Sequence, residues 1–185
     1  IAEVAKAKHC SAHIDGARIF NAAVATNTPL PRMTEEYASG SICLSKGLGA
    51  PVGSVLVGSN GFIEQAHRCR KMFGGGMRQS GILAAAGIYA LENNIERMNE
   101  DHRRAKTIAR AIDEMDHVSV DVDAVQTNMV YFSSNQYSAS EVSQRMAVAG
   151  IDMFDISPTH CRIVTHLHVT DEDVENVIQA LSALA

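Results

Sequence analysis

Two stretches of the chain carry residue types that can do chemistry at useful spacing. The first is Ser41-Ile42-Cys43-Leu44-Ser45-Lys46-Gly47-Leu48-Gly49-Ala50-Pro51-Val52-Gly53-Ser54, an apolar run that ends in one lysine followed by glycines. Ile42 and Leu44 stand at strand spacing, and Val55, Leu56 and Val57 restart the apolar run, so the stretch predicts strand, glycine-bearing turn, strand. Lys46 then lies at a strand end and is expected to face a pocket rather than open water. Desolvation lowers the pKa of an amine, which is how a lysine becomes a nucleophile for carbonyl chemistry. The nearby glycines leave room for something large to approach the backbone. A surface lysine in a hairpin turn would have the same local spacing.

The second stretch is His13-Ile14-Asp15-Gly16-Ala17-Arg18-Ile19-Phe20-Asn21-Ala22, where a carboxylate closes a strand-like run and an arginine follows. An acid beside a lysine-bound ring points to pyridoxal phosphate, which works as an electron sink when a carboxylate keeps its pyridine nitrogen protonated. Asp15 would equally serve as the N-cap of a helix over Ala17 to Val24. Two more arginines stand in telling contexts. Arg78 follows Gly74-Gly75-Gly76, a loop whose backbone freedom suits N–H groups presented to a phosphate ahead of a helix, or simply a solvated surface. Arg162 opens the run Arg162-Ile163-Val164-Thr165-His166, and its planar fork fits a carboxylate through two parallel hydrogen bonds, although a surface charge at a strand start is common.

These residues need elements to hold them. Helical periodicity is expected over Ile1 to His9, with Ile1, Val4 and Ala5 on one face, and over Asn60 to Met72, Gly81 to Leu91 and Ile95 to Met115. Thr26 to Pro31 reads as loop by its Thr, Asn and Pro content, and Met33 to Ser39 as a short link into the lysine strand. Small side chains in the Gly81 to Leu91 segment permit close helix packing. After Val118 the texture changes. Val118 to Val122, Asn128 to Phe132, Ile151 to Ile156 and Arg162 to Val169 read as strands. A helix over Ser140 to Ala149 is capped by Ser138 or Ser140 and ended by Gly150, and Thr170 with Asp173 opens a terminal helix. The acids from Asp171 to Glu175 suit that helix's N-terminal turn rather than a metal. His13 and His166 read as structural histidines.

HIDGARIFNA, SICLSKGLGAPVGS, KMFGGGMRQSGILAAAG and RIVTHLHVTDEDVE together resemble the low-specificity L-threonine aldolase family of fold-type I pyridoxal phosphate enzymes, in that family's order and across the whole chain. The resemblance implies an α/β fold: the later part of a fold-type I large domain, a mixed sheet with helices, over residues 1–115, followed by a small C-terminal α+β domain over 116–185. It implies pyridoxal 5'-phosphate held by Lys46 as an internal aldimine, with Asp15 on the pyridine nitrogen and Arg78 near the phosphate, reached across a subunit interface. Arg162 and Arg18 then take the substrate carboxylate. The implied reaction cleaves L-threonine or L-allo-threonine to glycine and acetaldehyde. A β-eliminating lyase of the same fold type would use the same lysine, acid and arginines, and a non-catalytic piece lacking the N-terminal part of the site is the remaining alternative. The expected partners are an amino-acid substrate and further copies of the chain, as a dimer or tetramer.

Composition bounds the rest. A length of 185 residues allows one good core or a core with a small appendage. A net charge of -5 gives no basic face for nucleic acid, and no apolar run approaches the ~20 residues of a membrane span. The cysteines Cys10, Cys43, Cys69 and Cys161 have no CxxC spacing and are expected as small buried hydrophobes in a reducing, cytoplasmic compartment, with no metal site. The opening at Ile1 suggests a fragment or a processed chain.

Overall fold

The runs around Asp15 and Lys46 form neighbouring strands. The computed structural model describes residues 1–185, which divide into two units, Ile1–Glu96 and Arg97–Ala185. In the first unit the order is α1 (Ala2–Ala7), β1 (His13–Gly16), α2 (Ile19–Thr26), α3 (Leu30–Thr34), β2 (Ser39–Cys43), β3 (Ser54–Gly58), α4 (Asn60–Met72) and α5 (Gly81–Asn93). Its three-stranded sheet runs β1-β2-β3, with β1 parallel to β2 and β2 antiparallel to β3.

Helix α4 matches its expected span and is opened by the Ser59 side chain, which accepts from Phe62 N–H. Helix α2 starts later than expected, at Ile19, with Arg18 in the N-cap position and no side-chain cap. Asp15 is therefore not its cap. The proline-bearing loop is shorter than its composition implied, because Pro29 and Pro31 fit the N-cap and first turn of α3, where a missing N–H costs nothing. Few side chains of this unit are fully buried. Ile19, Phe20, Leu48 and Ala90 are, whereas Val55, Leu56 and Val57 of β3, the Ile1 and Val4 face of α1, and Ile82, Ile88 and Tyr89 of α5 are exposed.

The second unit contains α6 (Met98–Asp113), β4 (Val118–Val120), β5 (Met129–Ser134), α7 (Ala139–Val148), β6 (Phe154–Asp155), β7 (Cys161–Val164) and α8 (Asp171–Ser182). Its antiparallel sheet has the order β4-β5-β7-β6. Val130, Phe132, Cys161 and Ile163 alternate inward and join Ala105, Ile108 and Ile112 of α6, Val142 and Met146 of α7, and Val174 and Leu181 of α8 in one core. All three helices thus cover the same face. The other face is open and presents Tyr131, Arg162 and Phe154, register partners across β5, β7 and β6.

The resemblance implies a domain boundary at 115/116, after the long helix; by packing, that helix groups with Arg97–Ala185. The reason is the buried face of α6, which packs on α8, β4 and β5. Asp101 falls on that face too, fully buried and paired with Arg97 one turn earlier at 2.6 and 3.1 Å. Both later helices carry complete capping boxes, Ser138 with Glu141 and Thr170 with Asp173, and Gly150 at φ 78° follows α7. Of the cysteines only Cys161 is buried as expected; Cys10 and Cys69 are exposed and Cys43 is half-buried. No helix is long and apolar enough to cross a membrane.

Candidate active site

Parallel pairing brings the acid and the lysine to one edge. Asp15 is opposite Ser41 and Gly16 opposite Ile42, so the carboxyl ends of β1 and β2 lie side by side. Neighbouring strands are about 4.8 Å apart. Asp15 stands at the end of β1, Arg18 just beyond it, and Lys46 in the loop that leaves β2 after Cys43. Open α/β sheets place ligands outside the carboxyl ends of their strands. Asp15 is exposed, and its Oδ1 accepts the Ala17 N–H at 3.1 Å, an Asx-type turn that fixes the carboxylate. Arg18 is half-buried.

The lysine loop is held from within and from α5. Leu44 N–H donates to Gly53 O, Ala50 N–H to Leu44 O, and Gly49 N–H to Lys46 O, all near 3.0 Å. Gly49 and Gly53 adopt φ of 72° and 104°, which side chains rarely allow. Leu48 is the anchor, 1% exposed, and Asn94 Nδ2 donates to its carbonyl at 2.7 Å. A Cβ on Gly87 would sit 3.2 Å from Leu44 Cδ1, so the small residues of α5 admit the loop at close range. Gly47 and Leu48, not Lys46, turn into the fold. Lys46 is consequently exposed rather than pocket-facing. Its charge still reaches Cys43: burial pushes that thiol up, but hydrogen bonds from the Ser45 side chain and backbone, the Lys46 charge and Ser54 outweigh burial and leave it below its ordinary value.

The remaining expected residues lie elsewhere. Arg78 is exposed in the loop between α4 and α5. Arg162 belongs to the second unit, half-buried on the open sheet face, with its guanidinium 4.8 Å from the Phe154 ring centroid and its Nε buried without a hydrogen-bond partner. His13 is satisfied by Ser39 Oγ at 2.8 Å but is exposed rather than in a core. His166 is also exposed, with Nδ1 accepting from His168 N–H. Asn94 and Phe154 had no sequence signal beyond an Asn-Asn break and one aromatic in a short strand: Asn94 meets a carbonyl 46 residues away, and Phe154 meets Arg162 only through the pairing of β6 with β7. An amine and a carboxylate at the carboxyl ends of neighbouring parallel strands, beside a glycine-bearing loop, fit the lysine and pyridine-nitrogen partners of pyridoxal phosphate.

The sequence model of the beta-eliminating lyase family matches residues 1–135. The chain belongs to this family. Several of its relatives are named low-specificity L-threonine aldolases. It is 41% identical over 187 residues to a probable low-specificity L-threonine aldolase 2 of Arabidopsis thaliana, covering all of this chain and 53% of that protein. It is 46% identical over 175 residues to the low specificity L-threonine aldolase of Escherichia coli K12, covering 95% of this chain and 51% of that protein. The crystal structure of a putative L-allo-threonine aldolase from Listeria monocytogenes superposes with a TM-score of 0.81 at 21% identity, over 100% of this chain and 55% of that one, which establishes the fold. This member of the beta-eliminating lyase family thus spans about half the length of the curated relatives it matches, corresponding to their C-terminal part.

Proposed function

We propose that this chain supplies the lysine, acid and arginine side of a pyridoxal phosphate-dependent aldolase site that cleaves L-threonine or L-allo-threonine to glycine and acetaldehyde. The observation that carries the reading is that Asp15 stands at the carboxyl end of β1 and Lys46 in the loop that leaves the carboxyl end of its parallel neighbour β2. Family membership supports it, since the family is pyridoxal phosphate-dependent. The Lys46 amine is the group that would hold the cofactor covalently, Asp15 the acceptor that keeps a proton on its pyridine nitrogen, and Arg78 a cation for its phosphate. Once bound, the cofactor supplies an electron sink for bond cleavage at the substrate Cα. Arg162 and Arg18 are assigned to the substrate carboxylate, where a guanidinium fork offers two parallel charge-assisted bonds. A homo-oligomer in a cytoplasmic, reducing compartment completes the reading.

The test is borohydride trapping. With added pyridoxal phosphate, reduction is expected to fix the cofactor on Lys46, mapped by peptide mass, and Lys46→Ala is expected to lose both the adduct and the visible absorbance. Because the chain spans about half its relatives' length, the same trapping is done on the polypeptide extended to that length. No Lys46 adduct there overturns the assignment. Product analysis then separates glycine plus acetaldehyde from the ammonia plus keto acid of a β-eliminating lyase.

A further inference from the structure

Phe154 is 59% exposed on a two-residue edge strand and takes no part in the core of the second unit. Packing does not account for an aromatic side chain there. The ring lies against Arg162, its register partner, whose guanidinium carbon stands 4.8 Å from the ring centroid. The turn that closes β6 onto β7 is pinned by Ile156 N–H donating to His160 O and His160 N–H donating to Ser157 Oγ, both at 3.0 Å, so the ring is held opposite the arginine. On Arg162's other side the register partner is Tyr131, 43% exposed, whose hydroxyl donates to Met129 Sδ.

We infer that Phe154 is a positioning residue for Arg162, stacking the guanidinium so that its terminal nitrogens stay free and correctly aimed for a substrate carboxylate; this rests on the assignment of Arg162 proposed above. An aromatic face suits this task because it attracts a weakly hydrated cation without consuming any of its N–H donors. A carboxylate partner would do the opposite and occupy the fork. The buried, unpartnered Nε fits the same arrangement. With the inner donor enclosed, the donors left for a ligand are those of the two terminal nitrogens. The contribution to substrate binding is pre-organisation, because an arginine already held needs less ordering when the carboxylate arrives.

Two readouts test it. In the nitrogen-15 spectrum of this chain, without cofactor or substrate, the Arg162 Nε–H proton is expected to be displaced by the ring current and to move toward the free-arginine position in Phe154→Leu, while the Arg97 and Arg104 signals stay in place. In the cofactor-loaded enzyme at its relatives' length, Phe154→Leu is expected to raise the KM for L-threonine about 3- to 10-fold with kcat held, the span of a partly exposed cation–π contact. Phe154→Tyr, which keeps the ring, is expected to restore both. Arg162→Ala is the reference. If it raises KM and Phe154→Leu does not, the positioning role falls while the carboxylate assignment stands. If Arg162→Ala leaves KM unchanged, the carboxylate assignment falls and the positioning role with it. A Phe154→Leu variant that lowers kcat alone, or that Phe154→Tyr fails to rescue, also overturns the positioning role.

Discussion

Arg97 and Arg162 are half-buried arginines of the same unit with opposite commitments. Arg97 spends its terminal donors on Asp101, a fully buried carboxylate, in a two-bond pair. Arg162 lies against a ring with those donors uncommitted. The pattern predicts different losses. Asp101→Ala leaves a partly buried guanidinium unpaired and should cost about 3–5 kcal/mol of unfolding free energy, read by urea denaturation. Arg162→Ala should leave stability nearly unchanged yet raise the KM for threonine roughly 30- to 150-fold, the equivalent of about 2–3 kcal/mol for a charge-assisted pair. A stability loss at Arg162 comparable to that at Asp101 would make it structural. Cys161 adds a third expectation. Burial, with the Asp155 charge, pushes its thiol up to about 11, so in the folded protein at neutral pH iodoacetamide should modify the other cysteines and spare Cys161 until unfolding.

The strands that carry Asp15 and precede Lys46 were legible at the element scale because strand alternation and glycine placement are local signals, whereas the fixation of the lysine loop is not. Leu48 and Asn94 are 46 residues apart, and only packing of α5 shows that one side-chain amide holds the loop. Asn94→Ala removes the donor from a covered carbonyl and should cost about 1–2 kcal/mol, together with weaker retention of cofactor at Lys46 in trapping experiments. Undiminished retention would mean that the loop is fixed without α5. Helix α8 gives the pH dependence. Hydrogen bonds from Arg104 and Arg103 hold Asp171 below the ordinary carboxylate value of 3.8, and backbone and side-chain bonds from Thr170 do the same for Asp173. A folded-state pKa below the unfolded one means stability that is complete above 3.8 and is lost as pH falls through the folded value. The α8 N-terminus should therefore loosen only below that pH. In an Arg103→Ala/Arg104→Ala variant, carbon-13 titration should find Asp171 moved back toward 3.8. An Asp171 titration unaltered by the two substitutions would break the argument.

The division of the whole chain was the least legible feature. Helix α6 looks, in sequence, like an exit from the first domain, since its charged residues and regular apolar spacing give no hint of which sheet will bury it. The structure assigns it to the second unit because Ile108, Ile112 and Ala109 complete the core formed with β5, β7 and α8. The partition is uneven. The second unit encloses a continuous apolar core, while in the first the faces of α4, α5 and β3 carry exposed Met72, Ile82, Tyr89 and Val57, and it is this unit that bears Asp15, Arg18, Lys46 and Arg78. Local stability follows buried apolar area and protected hydrogen bonds, so opening free energies should differ between the units. In amide hydrogen exchange of the chain as it stands, protection should be greatest in α6, β5 and β7 and least in α4 and α5. Should cofactor be retained at Lys46, protection ought to rise mainly within residues 13–53, because a ligand that binds only the ordered site adds stability to the elements forming it. Uniform protection across both units before cofactor is added would show that the first unit is as firmly folded as the second, and that its sparse core does not loosen the residues proposed to hold the cofactor.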